Sequence, residues 1–310
     1  MTQVSSALEA LVRAGAFCVT SEVVPPRSAD PSPLDQQVRD LVGYTDAVNV
    51  TDNPVASAHM SPLAGVAAVA RAGLEPTVQL TVRDRNRLAL SGDLLGAWAL
   101  GARNLFALTG DPLSVGDEPE AAAAHDLTVL ELISLARTLR DDGRLASGQE
   151  IDAAPAYFVG VSDTPLVEVY DPTRLEAKLD AGAGFVITQI TYDLDAIVAW
   201  ADVVRARGIF ERAAVLVGVA PLRGAKQARY MNEHLPGVSV PEALIDALEA
   251  AGPESESVGT AQCVEIVSGL RAIPGISGVH VMGLGRERTV RNVIDGAGLF
   301  PRPVGASDRA

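Results

Sequence analysis

The residues best placed to do chemistry are polar groups that interrupt or end apolar runs. Glu22 ends the run 17–22 (FCVTSE), and Asp111 follows the run 104–109 (NLFALT). A carboxylate at the end of such a run loses solvation, which favours the protonated form that a general acid needs. Glu22 could equally pair with Arg27 or another nearby arginine. Asp111 lies between Gly110 and Pro112, where turn chemistry or a helix cap competes for it. Gln189 ends the run 185–189 (FVITQ). Its amide offers a donor and an acceptor, which suits a heterocycle such as a pterin or flavin and suits a bond to loop backbone just as well.

The segment 81–86 (TVRDRN) alternates charges at a strand–helix junction. Asp84 can cap the next helix, and Arg83 or Arg85 can take a phosphate or carboxylate; mutual salt bridging is the commoner outcome. Lys178 shares a helical segment with Arg174 and Glu176, the composition of a solvated face. The histidines, His59, His125, His234 and His280, show no ligand spacing, and Cys18 and Cys263 lie far apart, so no metal signature is present. There is no GxSxG nucleophile motif either.

Something must hold these groups together, and the chain's repeat supplies it. Short apolar runs at 17–22, 46–51, 77–81, 104–109, 156–161, 185–189, 214–218 and 278–282 read as strands. Most are near-continuously apolar, as in parallel strands buried on both faces. Helical periodicity fills 34–42, 61–72, 86–101, 126–141, 172–181, 194–207, 225–234, 241–251, 255–272 and 287–294. Eight strand–helix units predict an α/β fold, a single (β/α)8 barrel of the TIM type over residues 1–310, with the tail 299–310 frayed. An open doubly wound sheet would carry a glycine-rich loop after its first strand, where this chain reads EVVPPRSA (22–29). In a barrel, chemistry gathers at the C-terminal strand ends. Here those ends include Glu22, Thr51 and Asn53, Gln79, Thr109 to Asp111, Gln189 and Thr191.

Composition removes other classes. The chain has 310 residues, 39 acidic against 25 basic, for a net charge of −14. That balance argues against nucleic acid as a partner. No apolar run reaches the roughly 20 residues of a membrane span, and the first 16 residues do not form a secretory signal. Two cysteines make no disulfide framework, so a reduced cytoplasmic setting is expected. Aromatic residues are only 4% of the chain, so a ring-binding site must lean on aliphatic walls.

Five blocks in order resemble the methylenetetrahydrofolate reductase family, closest to the reductase module of bifunctional homocysteine methyltransferase/methylenetetrahydrofolate reductase proteins. They are SEVVPPR (21–27), DAVNVTDNPVASAHMS (46–61), the stretch from TVRDRN to LTGDPLSVGDEP (81–119), RLEAKLDAGAGFVITQITYD (174–193) and VGVAPLRGAKQARYMNEHLPGVSVP (217–241). The resemblance implies an oxidoreductase that reduces 5,10-methylenetetrahydrofolate to 5-methyltetrahydrofolate, with NADH or NADPH as hydride donor and FAD at the top of the barrel. Glu22 then matches the family's essential acid, and Asp111 the aspartate beside the pterin and flavin. Gln189 matches the folate-contacting glutamine, with Thr191 beside it. The implied flavin set is Thr51, Asn53, Gln79, Thr109, Gly110, Asp111, Asp126 and Lys178, with Lys178 reaching the phosphates and Asp126 the nucleotide part.

The chain also departs from that pattern. A family histidine is missing near Gln79, and VGVSD (159–163) replaces the usual AAYPE. Ala177 stands for an arginine and Ala225 for an aromatic that sandwiches the folate. Three readings stay open: flavin with altered contacts, direct reduction by nicotinamide without flavin, or a divergent, even non-catalytic, barrel for another pterin or one-carbon carrier. The expected partner is a small-molecule folate, with self-association left open. Because such ligands are anions, local arginines such as Arg27, Arg83, Arg85 and Arg223 must offset the acidic surface. The length predicts a stand-alone bacterial-type reductase without the regulatory domain of larger relatives.

Overall fold

A computed structural model describes residue 4 and residues 6–302. Its eight strands are β1 (Cys18–Val23), β2 (Ala47–Val50), β3 (Pro76–Thr81), β4 (Asn104–Leu108), β5 (Phe158–Asp163), β6 (Phe185–Ile190), β7 (Ala214–Val219) and β8 (Ile276–Val281). Each pairs in parallel with the next, and β8 closes on β1, so the sheet is a complete barrel. The expected (β/α)8 fold is what forms. Around it lie α1 (Ala7–Arg13), α2 (Ser32–Leu41), α3 (Pro62–Arg71), α4 (Arg87–Ala99), α5 (Val129–Asp142), α6 (Pro172–Ala181), α7 (Leu194–Ala206), α8 (Ala225–His234), α9 (Glu242–Ala250), α10 (Ser255–Leu270) and α11 (Glu287–Gly296). None of the described helices is long and apolar enough to cross a membrane.

Strand residues alternate between two cores. Val19, Val48, Val78, Leu105, Val159, Val186, Val215 and Val279 face outward and join the helix layer. Cys18, Ala47, Phe106, Phe158, Phe185, Ile187, Ala214 and Leu216 face the lumen and fill its lower part. Phe185 packs on Phe158 with ring centroids 4.9 Å apart. Gly160 makes that possible, because a Cβ there would lie 2.1 Å from the Phe185 ring.

Three local features differ from expectation. Helix α1 was not foreseen. It plugs the floor of the lumen with the buried Leu8. Its N-terminus is held from a distance, since Glu75 accepts hydrogen bonds from Ala7 N (2.6 Å), Leu8 N (3.1 Å) and the Ser6 hydroxyl (2.9 Å). The fifth strand lies two residues later than expected, because pairing with β4 begins at Phe158 opposite Asn104. The helix expected from 126 begins at Val129, where Thr128 and Glu131 form a reciprocal capping box.

The tail expected to fray from 299 is docked over its first four residues. Leu299 is buried, Phe300 stacks on Tyr44 at 4.7 Å, and Arg302 pairs with the buried Asp46 while donating to Phe17 O at 3.0 Å. Residues 303–310 lie outside the described residues.

Candidate active site

The upper lumen is polar on one side. By the same alternation, β1 offers Thr20 and Glu22, β2 offers Asn49, β3 offers Thr77, Gln79 and Thr81, and β8 offers His280; Thr51 follows β2 directly. Glu22 is in register with Asn49, which is in register with Thr77. Three atoms in this wall, Asn49 Nδ2, Thr51 Oγ1 and Thr77 Oγ1, are buried without a hydrogen-bond partner. A protein seldom leaves such groups unmatched unless a ligand or water completes them.

Glu22 carries 17% side-chain exposure, and its carboxylate lies 3.7 Å from Nε2 of the buried His280. No arginine or lysine among the described residues pairs with it. Arg27, the partner the sequence offered, goes to Asp117 at 2.5 Å. Sequence reasoning passed over His280, because its approach to Glu22 depends on β8 closing onto β1.

Asp111 is exposed at the mouth and caps no helix. Its Oδ2 instead accepts the Val55 backbone N–H at 2.8 Å, and its carbonyl accepts Arg83 at 3.0 Å. Its Oδ1 has no hydrogen bond among the described residues. Gly110 before it turns the chain at φ +89°, where a Cβ would sit 3.1 Å from the Cβ atoms of Arg83 and Thr81. Thr109 is exposed beside it.

The loop Asp111 grips is strained. Asn53, Val55 and Ala56 adopt φ of 45°, 55° and 52°, and a β-branched residue is rarely found there. Asn53 braces the loop by accepting His59 N at 3.0 Å and donating to Asp84 at 3.4 Å. Val55→Asn should raise stability by about 1 kcal/mol, since asparagine tolerates this backbone. A urea midpoint that stays or falls would contradict the assignment of strain.

The arginines of 81–86 and Arg87 are consumed by carboxylates. Arg83 binds Asp84 at 2.6 Å and holds that carboxyl below its ordinary range. Arg85 binds the buried Asp52 through two nitrogens, at 2.7 and 3.0 Å, and Asp93 at 2.7 Å. Arg87 grips Asp126 at 2.9 and 3.0 Å and holds its carboxyl down at about 2. A cavity of about 250 Å³ lies among the loops after β2, β3 and β4, lined by Asn53, Ala56, Arg83, Asp84 and Asp117. Glu22 does not line it.

Lys178 does not lie on a solvated face. It folds behind β5, donating to Ser162 O at 2.5 Å, and burial lowers its proton affinity against the pull of Asp163. Burial raises the Asp163 carboxyl in turn, although the Tyr170 hydroxyl donates to it at 2.8 Å. Gln189 sits at a register shift in β6; its Nε2 donates to Pro236 O (3.1 Å) and its Oε1 accepts Ile190 N (2.9 Å), leaving one amide hydrogen uncommitted. Thr191, expected at the substrate, is fully buried, its hydroxyl held in a turn with Asp193 at 3.2 Å. Gln79 is buried in the lumen wall without a side-chain hydrogen bond among the described residues.

A family model described as methylenetetrahydrofolate reductase matches residues 7–298. Methylenetetrahydrofolate reductase 1 of Schizosaccharomyces pombe is 28% identical over 238 residues, covering 73% of this chain and 36% of that protein. The 5,10-methylenetetrahydrofolate reductase of Pectobacterium carotovorum is 26% identical over 234 residues, 74% of this chain and 72% of that one. The chain thus spans about a third of the length of the eukaryotic relatives it matches. Among solved structures, an uncharacterized Clostridium thermocellum protein described as binding two copies of 5-methyl-5,6,7,8-tetrahydrofolic acid has a TM-score of 0.63. It covers 95% of this chain and 100% of its own at 12% identity, a likeness of fold alone.

Proposed function

The chain belongs to the methylenetetrahydrofolate reductase family, and on that premise we propose that it reduces 5,10-methylenetetrahydrofolate to 5-methyltetrahydrofolate with NADH or NADPH. The observation that carries this reading is the Glu22 carboxyl, partly exposed at the lumen mouth, 3.7 Å from His280 and paired with no arginine or lysine among the described residues. The substrate's methylene carbon bridges two nitrogens. Glu22 gives a proton to N10 as the bond from that carbon to N10 breaks, and the electron pair stays on N10. The carbon, now part of an iminium at N5, accepts hydride and becomes the methyl group. Asp111 Oδ1 suits the pterin amino group, and the remaining Gln189 amide hydrogen suits a ring acceptor.

The unmatched Thr51 hydroxyl and Asn49 amide, with Gln79, suit the polar edge of a flavin ring. Thr51, Asn53, Gln79, Thr109 and Gly110 would hold that ring. FAD, when bound there, would pass hydride from the nicotinamide to the substrate. Lys178 would have to leave Ser162 O to meet the flavin's phosphates, and Asp126 would have to leave Arg87 to meet the nucleotide. Those two engagements favour a second reading, direct transfer from the nicotinamide. The visible absorbance of the purified protein separates the two: a flavin spectrum supports the first, and a colourless active protein the second.

Folate tails and dinucleotide phosphates need cations. Arg27, Arg83 and Arg85 are spent on carboxylates, whereas Arg223 contacts only Gln227 and has no carboxylate partner among the described residues. Arg223→Gln should raise KM for the folate or the nucleotide roughly tenfold, the loss of one charge-assisted contact of about 1.4 kcal/mol, with kcat nearly unchanged. Unchanged KM for both would contradict it. The reading as a whole is tested by NAD(P)H oxidation that depends on 5,10-methylenetetrahydrofolate. Binding of folate without oxidation, with FAD added or not, would leave a non-catalytic pterin-binding barrel instead.

A further inference from the structure

His280 is 1% exposed, and its two ring nitrogens face different partners. Nδ1 lies 2.9 Å from Thr20 Oγ1, and Nε2 lies 3.7 Å from Glu22 Oε2. The Thr20 hydroxyl also reaches Val279 O, an acceptor only, at 3.5 Å. With the hydroxyl turned to that carbonyl, the ring donates to it from Nδ1, and the neutral imidazole then turns its Nε2 lone pair to Glu22. Alongside lie the unmatched Asn49 Nδ2 and Thr77 Oγ1, buried lumen atoms that water can satisfy.

We propose that His280 is a positioning residue for Glu22, orienting the carboxyl toward the substrate and restoring its proton after each turnover. The inference rests on the reading of Glu22 as the acid. Once Glu22 has given its proton to N10, the Nε2 lone pair of His280 takes a proton from water entering the lumen past Asn49 and Thr77, and the imidazolium so formed passes that proton to the Glu22 carboxylate and returns to the neutral ring. Each turnover thus draws one proton from solvent. Other charges bear on the pair. Glu287 at the start of α11 is buried, which raises its carboxyl, and the nearby Asp40 of α2 and Glu22 add to that. Beside His280, β7 contributes only Gly218, and β2 presents the neutral Asn49 to Glu22.

The test compares kcat, KM and the pH profile of methylenetetrahydrofolate reduction in the wild type, His280→Gln, Thr20→Val and Thr20→Ser. His280→Gln should lose roughly 10- to 100-fold in kcat with KM within about twofold, the size of effect seen when a supporting hydrogen-bond partner is removed. The loss should deepen toward alkaline pH, where protons from solvent are scarce. Thr20→Val should fall in the same direction and Thr20→Ser should recover, which keeps the test open should His280→Gln fail to fold. An active wild type with an unchanged His280→Gln pH profile, or with Thr20→Val and Thr20→Ser alike, overturns the inference alone. A wild type that makes no 5-methyltetrahydrofolate overturns the functional reading, and this inference with it.

Discussion

Glu22→Gln is expected to cut folate reduction by roughly 10²–10⁴-fold while leaving the barrel folded and able to bind folate. Glutamine keeps the shape of the side chain and its reach toward His280, 3.7 Å away, but has no acidic proton to give. The position is partly exposed and makes no ion pair with an arginine or lysine among the described residues, so stability should move by no more than about 0.5 kcal/mol. Steady-state rates give the first quantity, and calorimetric binding of 5-methyltetrahydrofolate gives the second. A kcat within twofold of wild type would remove Glu22 from the mechanism. Loss of binding together with turnover would make it a binding group rather than an acid.

Asp52→Ala should be the costliest single change to stability at the barrel mouth, at about 3–5 kcal/mol. The Asp52 carboxylate is fully buried and takes four hydrogen bonds: two from Arg85, one from Thr81 N at 2.8 Å and one from the Thr81 hydroxyl at 3.0 Å. Alanine strands a mostly buried guanidinium with Asp93 alone and leaves the Thr81 amide unpaired. Asp52→Asn keeps an oxygen for Thr81 and should lose less. The midpoint of urea unfolding, read at constant slope, checks the order wild type, Asn, Ala. Equal midpoints would show that the network adds nothing to the stability of the strand ends.

The barrel could be read from the chain because parallel strands buried on both faces must be near-continuous apolar runs, and eight such runs alternate with helical segments. What failed depended on distant pairing. Helix α1 has seven residues, and Glu75, far along the chain, satisfies its first amides. The start of β5 is set by its register with Asn104, which no local pattern encodes. The start of α5 was available, since Thr128 and Glu131 have the spacing of a capping box.

The site divides in the same way. The positions of Glu22 and Asp111 at strand ends followed from the runs before them, and residue type alone could not choose their partners. The structure makes those choices: Arg27 to Asp117, Arg83 to Asp84, Asp111 to the Val55 amide, and Gln189 to Pro236 O. Thr191 follows a strand and is nonetheless buried in a turn, because the chain folds back at Asp193 into α7. His280 resembles any scattered histidine until β8 pairs with β1 and sets it beside Thr20 and below Glu22.

The central claim, that this barrel delivers a proton and a hydride to 5,10-methylenetetrahydrofolate, is tested most directly by product stoichiometry. The purified chain is given the folate and NADH or NADPH, with and without added FAD, and 5-methyltetrahydrofolate is quantified against nucleotide oxidised. One 5-methyltetrahydrofolate per NAD(P)H is the predicted result. Nucleotide oxidation without that product, or no product with either nucleotide, would contradict it.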